Sequence, residues 1–308
     1  MSRRALLLCM TVVAAQGGVH ARDAVDARVL RENGTELRIE VRGVQDGTRV
    51  GMLHRWAAEA ARAARTATGR FPLDAARVVI SQRPGSGASP VPWGQTSRRG
   101  DVSVLLYVRD DATFDELRAD WTAVHEFSHL FHPYLGDRGR WLAEGLASYY
   151  QNVLRARAGL LEPREAWRRL DGGFARGRDA TNGVPLSALG RGRGGTMRVY
   201  WAGAAYWLEA DLALRRRGSS LDAVLAGYAG CCLRGTAWVS PEDFVAALDG
   251  IAGTDVFASR YHRYAGATRF PAVDASYASL GITRSGSTLR FSRDDAGARL
   301  RAQVMGAD

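Results

Sequence analysis

Between Asp115 and His132 the chain has neither proline nor glycine, and within that stretch it reads His125-Glu126-Phe127-Ser128-His129. On a helix, two histidines four residues apart lie on one face, one turn from each other. Both imidazoles then reach a single ion at about 2.0–2.1 Å. Thr113-Phe114-Asp115-Glu116 has the spacing of a capping box, and Pro133 ends the pattern. The spacing therefore predicts one helix from Asp115 to His132. Glu126 follows the first histidine and can face the same ion without binding it. From there a carboxylate accepts a proton from an attacking water and passes it to a leaving amine. The pattern is His-Glu-x-x-His. A core helix whose histidines only satisfy internal hydrogen bonds is the competing reading of the motif taken alone.

A catalytic zinc site needs a third protein ligand and one open position. Glu144 lies fifteen residues after His129, in Trp141-Leu142-Ala143-Glu144-Gly145-Leu146-Ala147-Ser148-Tyr149-Tyr150. The turn-forming Pro133 to Gly139 lets a second helix, from about Trp141 to Ala156, return beside the first. Glu144 near its start can point at the ion, or can simply be an acidic residue favoured near a helix N-terminus.

The two segments together resemble the gluzincin peptidases. They look closest to the peptidase-MA-like group and are similar to the glycyl aminopeptidase and aminopeptidase-N families. The clear match spans roughly residues 100–270. The resemblance implies one Zn2+ per chain held by His125, His129 and Glu144, with Glu126 as general base. It also implies a zincin (thermolysin-like) α+β fold: a small N-terminal α/β lobe with an antiparallel edge strand, and a mainly helical C-terminal lobe. The larger families carry a Tyr-x-Lys-Gly segment whose tyrosine hydrogen-bonds the oxyanion. Here it reads Tyr200-Trp201-Ala202-Gly203, which makes Tyr200 the candidate donor, with lysine replaced by Ala202. Aminopeptidases also carry a Gly-x-Met-Glu-Asn type strand whose glutamate holds the free amine. No glutamate stands between Ile80 and Val108, so aminopeptidase activity is not carried over, and the expectation leans to an endopeptidase. Pro92 to Thr96 or Asp101 to Val108 is the candidate edge strand on which a peptide adds as a further strand.

The rest of the chain divides around this motif. Thr35 to Arg42 alternates apolar and polar, as a half-buried strand does. Residues 49–68 read as a helix closed by Gly69, and 76–82 and 101–108 as strands. Helical patterns then run at Pro163 to Leu170, Met197 to Arg217 and from Ser240-Pro241-Glu242-Asp243. Short strand-like patterns return at Gly281 to Ser292. The expected division is residues 1–21 as a signal peptide, 22–112 as the α/β lobe, 113–270 as the helical zinc-binding lobe and 271–308 as a C-terminal segment with short strands.

The signal-peptide reading rests on Arg3 and Arg4 before an apolar run from Ala5 to Ala15, with Val19-His20-Ala21 offering a cleavage site. A short retained anchor is the alternative. With cleavage the product is periplasmic or secreted, and no later apolar run is long enough to span a bilayer. The formal charge of +10 invites a nucleic-acid partner. However, all 42 basic residues are arginine, spread along the chain without interleaved aromatics, so none is expected. The adjacent Cys231 and Cys232 are read as two thiols or a vicinal disulfide. Ser148 is four residues past Glu144 and can either reach a ligand histidine or merely pack. His132 is a spare ligand or, in the last turn, meets free carbonyls. The functional expectation is an exported zinc metallopeptidase acting on a peptide or protein. The alternative is a catalytically silent zincin-fold binding protein.

Overall fold

The computed structural model describes residues 24–306 apart from residue 86, residues 191–193 and residue 287. The expected signal peptide lies outside the described residues. The chain opens with an antiparallel hairpin, β1 (Val25–Glu32) and β2 (Thr35–Arg42), in register from Val25 against Arg42 to Glu32 against Thr35. Its two-residue turn is Asn33-Gly34, both at positive φ, the combination a tight right-twisted hairpin demands. Leu37, Ile39 and Val41 point into the core at every second position of β2. They face α1 (Gly47–Arg65), capped by Asp46 and buried along Leu53, Trp56, Ala57, Ala60 and Ala64.

The sheet continues with β3 (Ala75–Arg83), β4 (Trp93–Ser97) and β5 (Ser103–Arg109), in the order β1-β2-β3-β5-β4. β2, β3 and β5 run parallel, while β1 and β4 are antiparallel edges. The antiparallel edge strand expected of the fold is thus β4, built from Trp93 to Ser97.

From residue 113 the chain is mostly helical: α2 (Phe114–Ala119), α3 (Thr122–Ser128), α4 (Arg140–Arg157), α5 (Pro163–Asp179) and α6 (Thr196–Arg215). α7 (Leu221–Cys231), α8 (Pro241–Ala252), α9 (Ala258–Ala265) and α10 (Asp274–Ser279) follow. The hairpin β6 (Ile282–Ser285) and β7 (Thr288–Phe291) then leads to α11 (Asp295–Met305). Beyond the short strands expected over residues 271–308, that segment therefore holds two helices. α11 docks on α4, where Arg157 Nε donates to the Val304 carbonyl at 2.8 Å.

One sequence expectation is corrected here. The predicted helix from Asp115 to His132 is two helices. The capping box at Thr113 is present and starts α2, but Asp120 is extended, with ψ 149°. Its carboxylate accepts from Thr122 N at 2.7 Å and restarts the helix as α3. The backbone then tightens into a 3₁₀ turn over His129–Phe131. His129 keeps helical angles (φ −65°, ψ −14°), so the one-turn spacing from His125 survives.

α4 and α6 cross at a pair of glycines. A side-chain carbon on Gly203 would overlap the Trp141 carbonyl, and one on Gly145 would overlap the Gly203 backbone. That close approach brings Glu144 and Tyr200, one residue before and three residues before these glycines, to the same end of the crossing. Behind it Tyr149 and Tyr150 are fully buried and donate to Asp211 and Asp222 at 2.9 and 2.8 Å. Cys231 and Cys232 form a vicinal disulfide, with Cα atoms 3.7 Å apart.

Candidate metal centre

α3 delivers His125 and the following turn delivers His129, while α4, packed on α3, brings Glu144. One nitrogen of each histidine and one carboxylate oxygen lie within 4.8 Å of one another. Glu144 Oε2 is 3.3 Å from His125 Nε2 and 3.6 Å from His129 Nε2. Two imidazole nitrogens and one carboxylate oxygen form a donor set that suits zinc and leaves a coordination position open. The carboxyl of Glu144 is held well below its usual range. Burial alone would raise it, but hydrogen bonding to His125 and His129 outweighs burial. Burial pulls His125 down, and the bond to Glu144 and the charge of Glu126 leave it raised on balance.

The far nitrogens of both histidines are fixed by the fold. His125 Nδ1–H donates to Gln151 Oε1 at 2.8 Å, which turns its Nε2 toward Glu144, the nitrogen left to bind a metal once it gives up its proton. For His129 the same result follows through His132. Burial, then the charges of His129 and Arg98, hold the His132 imidazole well below its usual pKa, so it is neutral. Its Nδ1 lies 2.7 Å from the Pro133 carbonyl and must be the donor there. Its Nε2 must then accept, and His129 Nδ1–H supplies the proton at 2.9 Å. His129 Nε2 therefore faces the same Glu144 oxygen as His125 Nε2 and is the nitrogen left to bind a metal.

This arrangement resolves two residues weighed from sequence. His132 does meet a free carbonyl, and it also orients a ligand histidine, while its own two nitrogens are both engaged and unavailable as ligand atoms. Ser148 does not reach a ligand: its buried hydroxyl has no partner. Gln151, one turn further along the same face of α4, spans the gap with its longer side chain. His132→Ala should lower zinc affinity by about tenfold to a hundredfold while leaving the helical circular dichroism intact. A chelator-dye competition titration checks this, and unchanged affinity would contradict the orienting role.

Glu126 sits beside the ligands, against the edge strand. The Thr96 hydroxyl in β4 lies 2.7 Å from the Glu126 backbone carbonyl and 3.0 Å from its carboxylate, and its one proton is shared between them. Gly94 permits that contact, since a side-chain carbon there would come within 2.7 Å of Glu126 Cγ and 2.8 Å of Thr122 Cγ2. Tyr200 stacks on His125 with ring centroids 5.6 Å apart. Burial, then the neighbouring Glu144 carboxylate, push its phenol above the ordinary value, which keeps the hydroxyl protonated as a donor. All five residues singled out in the sequence thus converge on one place.

Several site residues escaped the sequence reading. Gln151 had a signal in its seven-residue spacing from Glu144. Thr96 had none, because its role depends on strand pairing. Arg98, just past β4, donates to the His129 and His132 carbonyls and clamps the turn that carries the second ligand. Burial pushes its guanidinium down to about 10.

No protein-family model and no curated protein matches the sequence, but solved structures do. An aminopeptidase N family protein from Idiomarina loihiensis superposes with a TM-score of 0.62 at 12% identity, over 84% of this chain and 49% of that one. The chain has the fold of the M1 zinc metallopeptidases. A two-domain M1 zinc metallopeptidase mutant bound to L-tryptophan gives a TM-score of 0.52 at 14% identity, over 80% of this chain and 53% of that one. An M1 mutant from Deinococcus radiodurans bound to a Tyr-Ser-Ala substrate gives 0.51 at 14%, with the same shares of both chains. The chain spans about half the length of these M1 structures. The zincin fold implied by the gluzincin resemblance is the fold observed, and within it the His125, His129 and Glu144 cluster offers the place for a metal.

Proposed function

We propose that this chain is an exported zinc-dependent peptidase that hydrolyses peptide bonds, with Glu126 as general base and Tyr200 as oxyanion donor. The observation that carries this reading is the convergence of His125, His129 and Glu144 within 4.8 Å beside a Glu126 carboxylate held by Thr96. Two buried helices and an edge strand are spent on bringing these groups together. Zinc, when held by His125, His129 and Glu144, supplies Lewis-acid polarisation of the scissile carbonyl and acidifies water.

The chain's own residues do the rest. β4 is the last strand of its sheet, and its outer edge offers backbone groups to an extended peptide. Glu126, oriented by Thr96, accepts the proton of the attacking water and returns it to the leaving amine. Tyr200, protonated and stacked on His125, donates to the oxygen on which negative charge develops, a contribution of about 2.7–4 kcal/mol. β4 carries no glutamate that would hold a free α-amine, which favours endopeptidase action. Export rests on the basic and apolar character of residues 1–21. Among the described residues no helix is long and apolar enough to cross a membrane.

The test is incubation of the zinc-loaded protein with a diverse peptide pool, read by mass spectrometry. Cleavage that stops with a chelator and returns on adding zinc is expected. No cleavage at any zinc loading would contradict the reading and favour the silent binding protein.

A further inference from the structure

A cavity of about 580 Å³ opens beside the metal centre, between α4, α5 and the start of α6. One end is formed by Trp121, Gln151 and Tyr200, all of which touch His125. The cavity is large enough for an amino-acid side chain and the backbone that carries it.

Its wall is unusually charged for a peptide subsite. Among the described residues four arginines line it, Arg155, Arg168, Arg169 and Arg176, against one acid, Glu165. Glu165 is shared by Arg168 at 3.6 Å and Arg169 at 3.0 Å. Arg176 is exposed and lies over the Trp201 ring, 5.0 Å from its centroid. Arg155 is only 1% exposed, and its Nη2 donates to the Ala119 carbonyl at 2.7 Å. Its Nε and Nη1 have no hydrogen-bond partner. Burial, then the charge of Arg169, lower its pKa to about 10, and Asp120 offsets only part of this. Two further lining groups are also buried and unpartnered, Ser148 Oγ and Trp201 Nε1.

Buried donors without acceptors each cost about 1–3 kcal/mol, and more when charged. These atoms are closed to solvent, so what faces the cavity is the positive field of Arg155 together with the exposed Arg168, Arg169 and Arg176. Among the described residues the wall holds four arginines to one acid, and one end of the cavity reaches Tyr200 and the residues packed on His125. We propose that this cavity is the subsite that takes a carboxylate of the peptide substrate, either an acidic side chain or the chain's terminal carboxylate. This rests on the peptidase reading above, since a peptide's own anions are carboxylates. Met197 and Trp201 supply an apolar wall for the stem of the side chain, and the arginines fix its charged end.

The experiment uses the zinc-loaded full chain and peptides in matched sets. A glutamate or a glutamine is walked across the positions flanking the cleaved bond, and each peptide has a free or an amidated C-terminus. One carboxylate is expected to raise kcat/KM by about tenfold to a hundredfold over its neutral counterpart. A preference for glutamate that survives amidation assigns the side chain, and a preference for the free terminus assigns the terminal carboxylate. In Arg176→Gln, and in Arg168→Gln combined with Arg169→Gln, the ratio should fall toward one. These positions are exposed, so folding is not at stake as it is for Arg155→Gln.

Cleavage with no preference between acid and neutral peptides would overturn the subsite and leave the peptidase standing. A preference unchanged in the arginine variants would overturn it as well. Calorimetric binding of the same peptides to zinc-loaded Glu126→Gln separates the two claims. Carboxylate-selective binding without any cleavage by the wild type sinks the peptidase reading and keeps the carboxylate site, while non-selective binding removes the site.

Discussion

Glu126→Gln should lower kcat/KM for a cleaved peptide by about two to four orders of magnitude while zinc content stays at the wild-type level. The two effects separate because Glu126 makes no ligand contact of its own. The metal cluster is His125, His129 and Glu144. Glutamine has the same shape and keeps an oxygen for the Thr96 hydroxyl, so the helix and the edge strand stay in register. What it lacks is the ability to take a proton from water. A steady-state assay beside metal analysis of both proteins reads the result. Equal loss of zinc and activity would instead place Glu126 among the ligands, and a variant as active as wild type would remove it from the chemistry.

The second large effect is expected far from any reacting atom, at Gly203→Val. A side-chain carbon there overlaps the Trp141 carbonyl, and the facing position, Gly145, is equally tight against the Gly203 backbone. Backbone cannot yield as a flexible side chain does, so α4 and α6 must separate. The expected loss is about 3 kcal/mol or more, the upper part of the range for overpacking. Glu144 rides on α4 and Tyr200 on α6, so the same shift should also weaken zinc binding and slow catalysis. Gly250→Ala is the matched control. Its added carbon meets nothing within 4 Å in α8, and it should stabilise by up to about 1 kcal/mol through helix propensity. Thermal and urea unfolding of the two variants test this, and a Gly203→Val protein as stable as wild type would contradict the close crossing.

The part of this molecule legible from sequence is the part written in local spacing. β2 follows its alternation of Leu37, Ile39 and Val41, and α8 follows its Ser240 cap and Pro241. The ligand pair is a matter of one helical turn. The break at Asp120 is different, because nothing in the sequence from Asp115 to His132 is a helix breaker. A single carboxylate that caps Thr122 competes with the helix backbone, and tertiary packing decides the contest. The same holds for the groups that orient the metal ligands. Ser148 and Gln151 both lie on the face of α4 that carries Glu144, and only the distance to His125 selects the longer side chain. The pairing of His132 with His129 depends on the 3₁₀ turn after α3, and Thr96 reaches Glu126 only because β4 is the edge strand. The arginine-lined cavity joins residues from α4, α5 and α6, and no single window of sequence shows it.

The most direct measurement is zinc bound per chain, determined by metal analysis of the purified protein, wild type beside Glu144→Ala. Close to one zinc is expected in the wild type and a clear loss in the variant, with both proteins folded. A well-folded wild type that holds no zinc even after reloading would contradict this expectation, as would a Glu144→Ala protein that binds zinc as tightly as wild type.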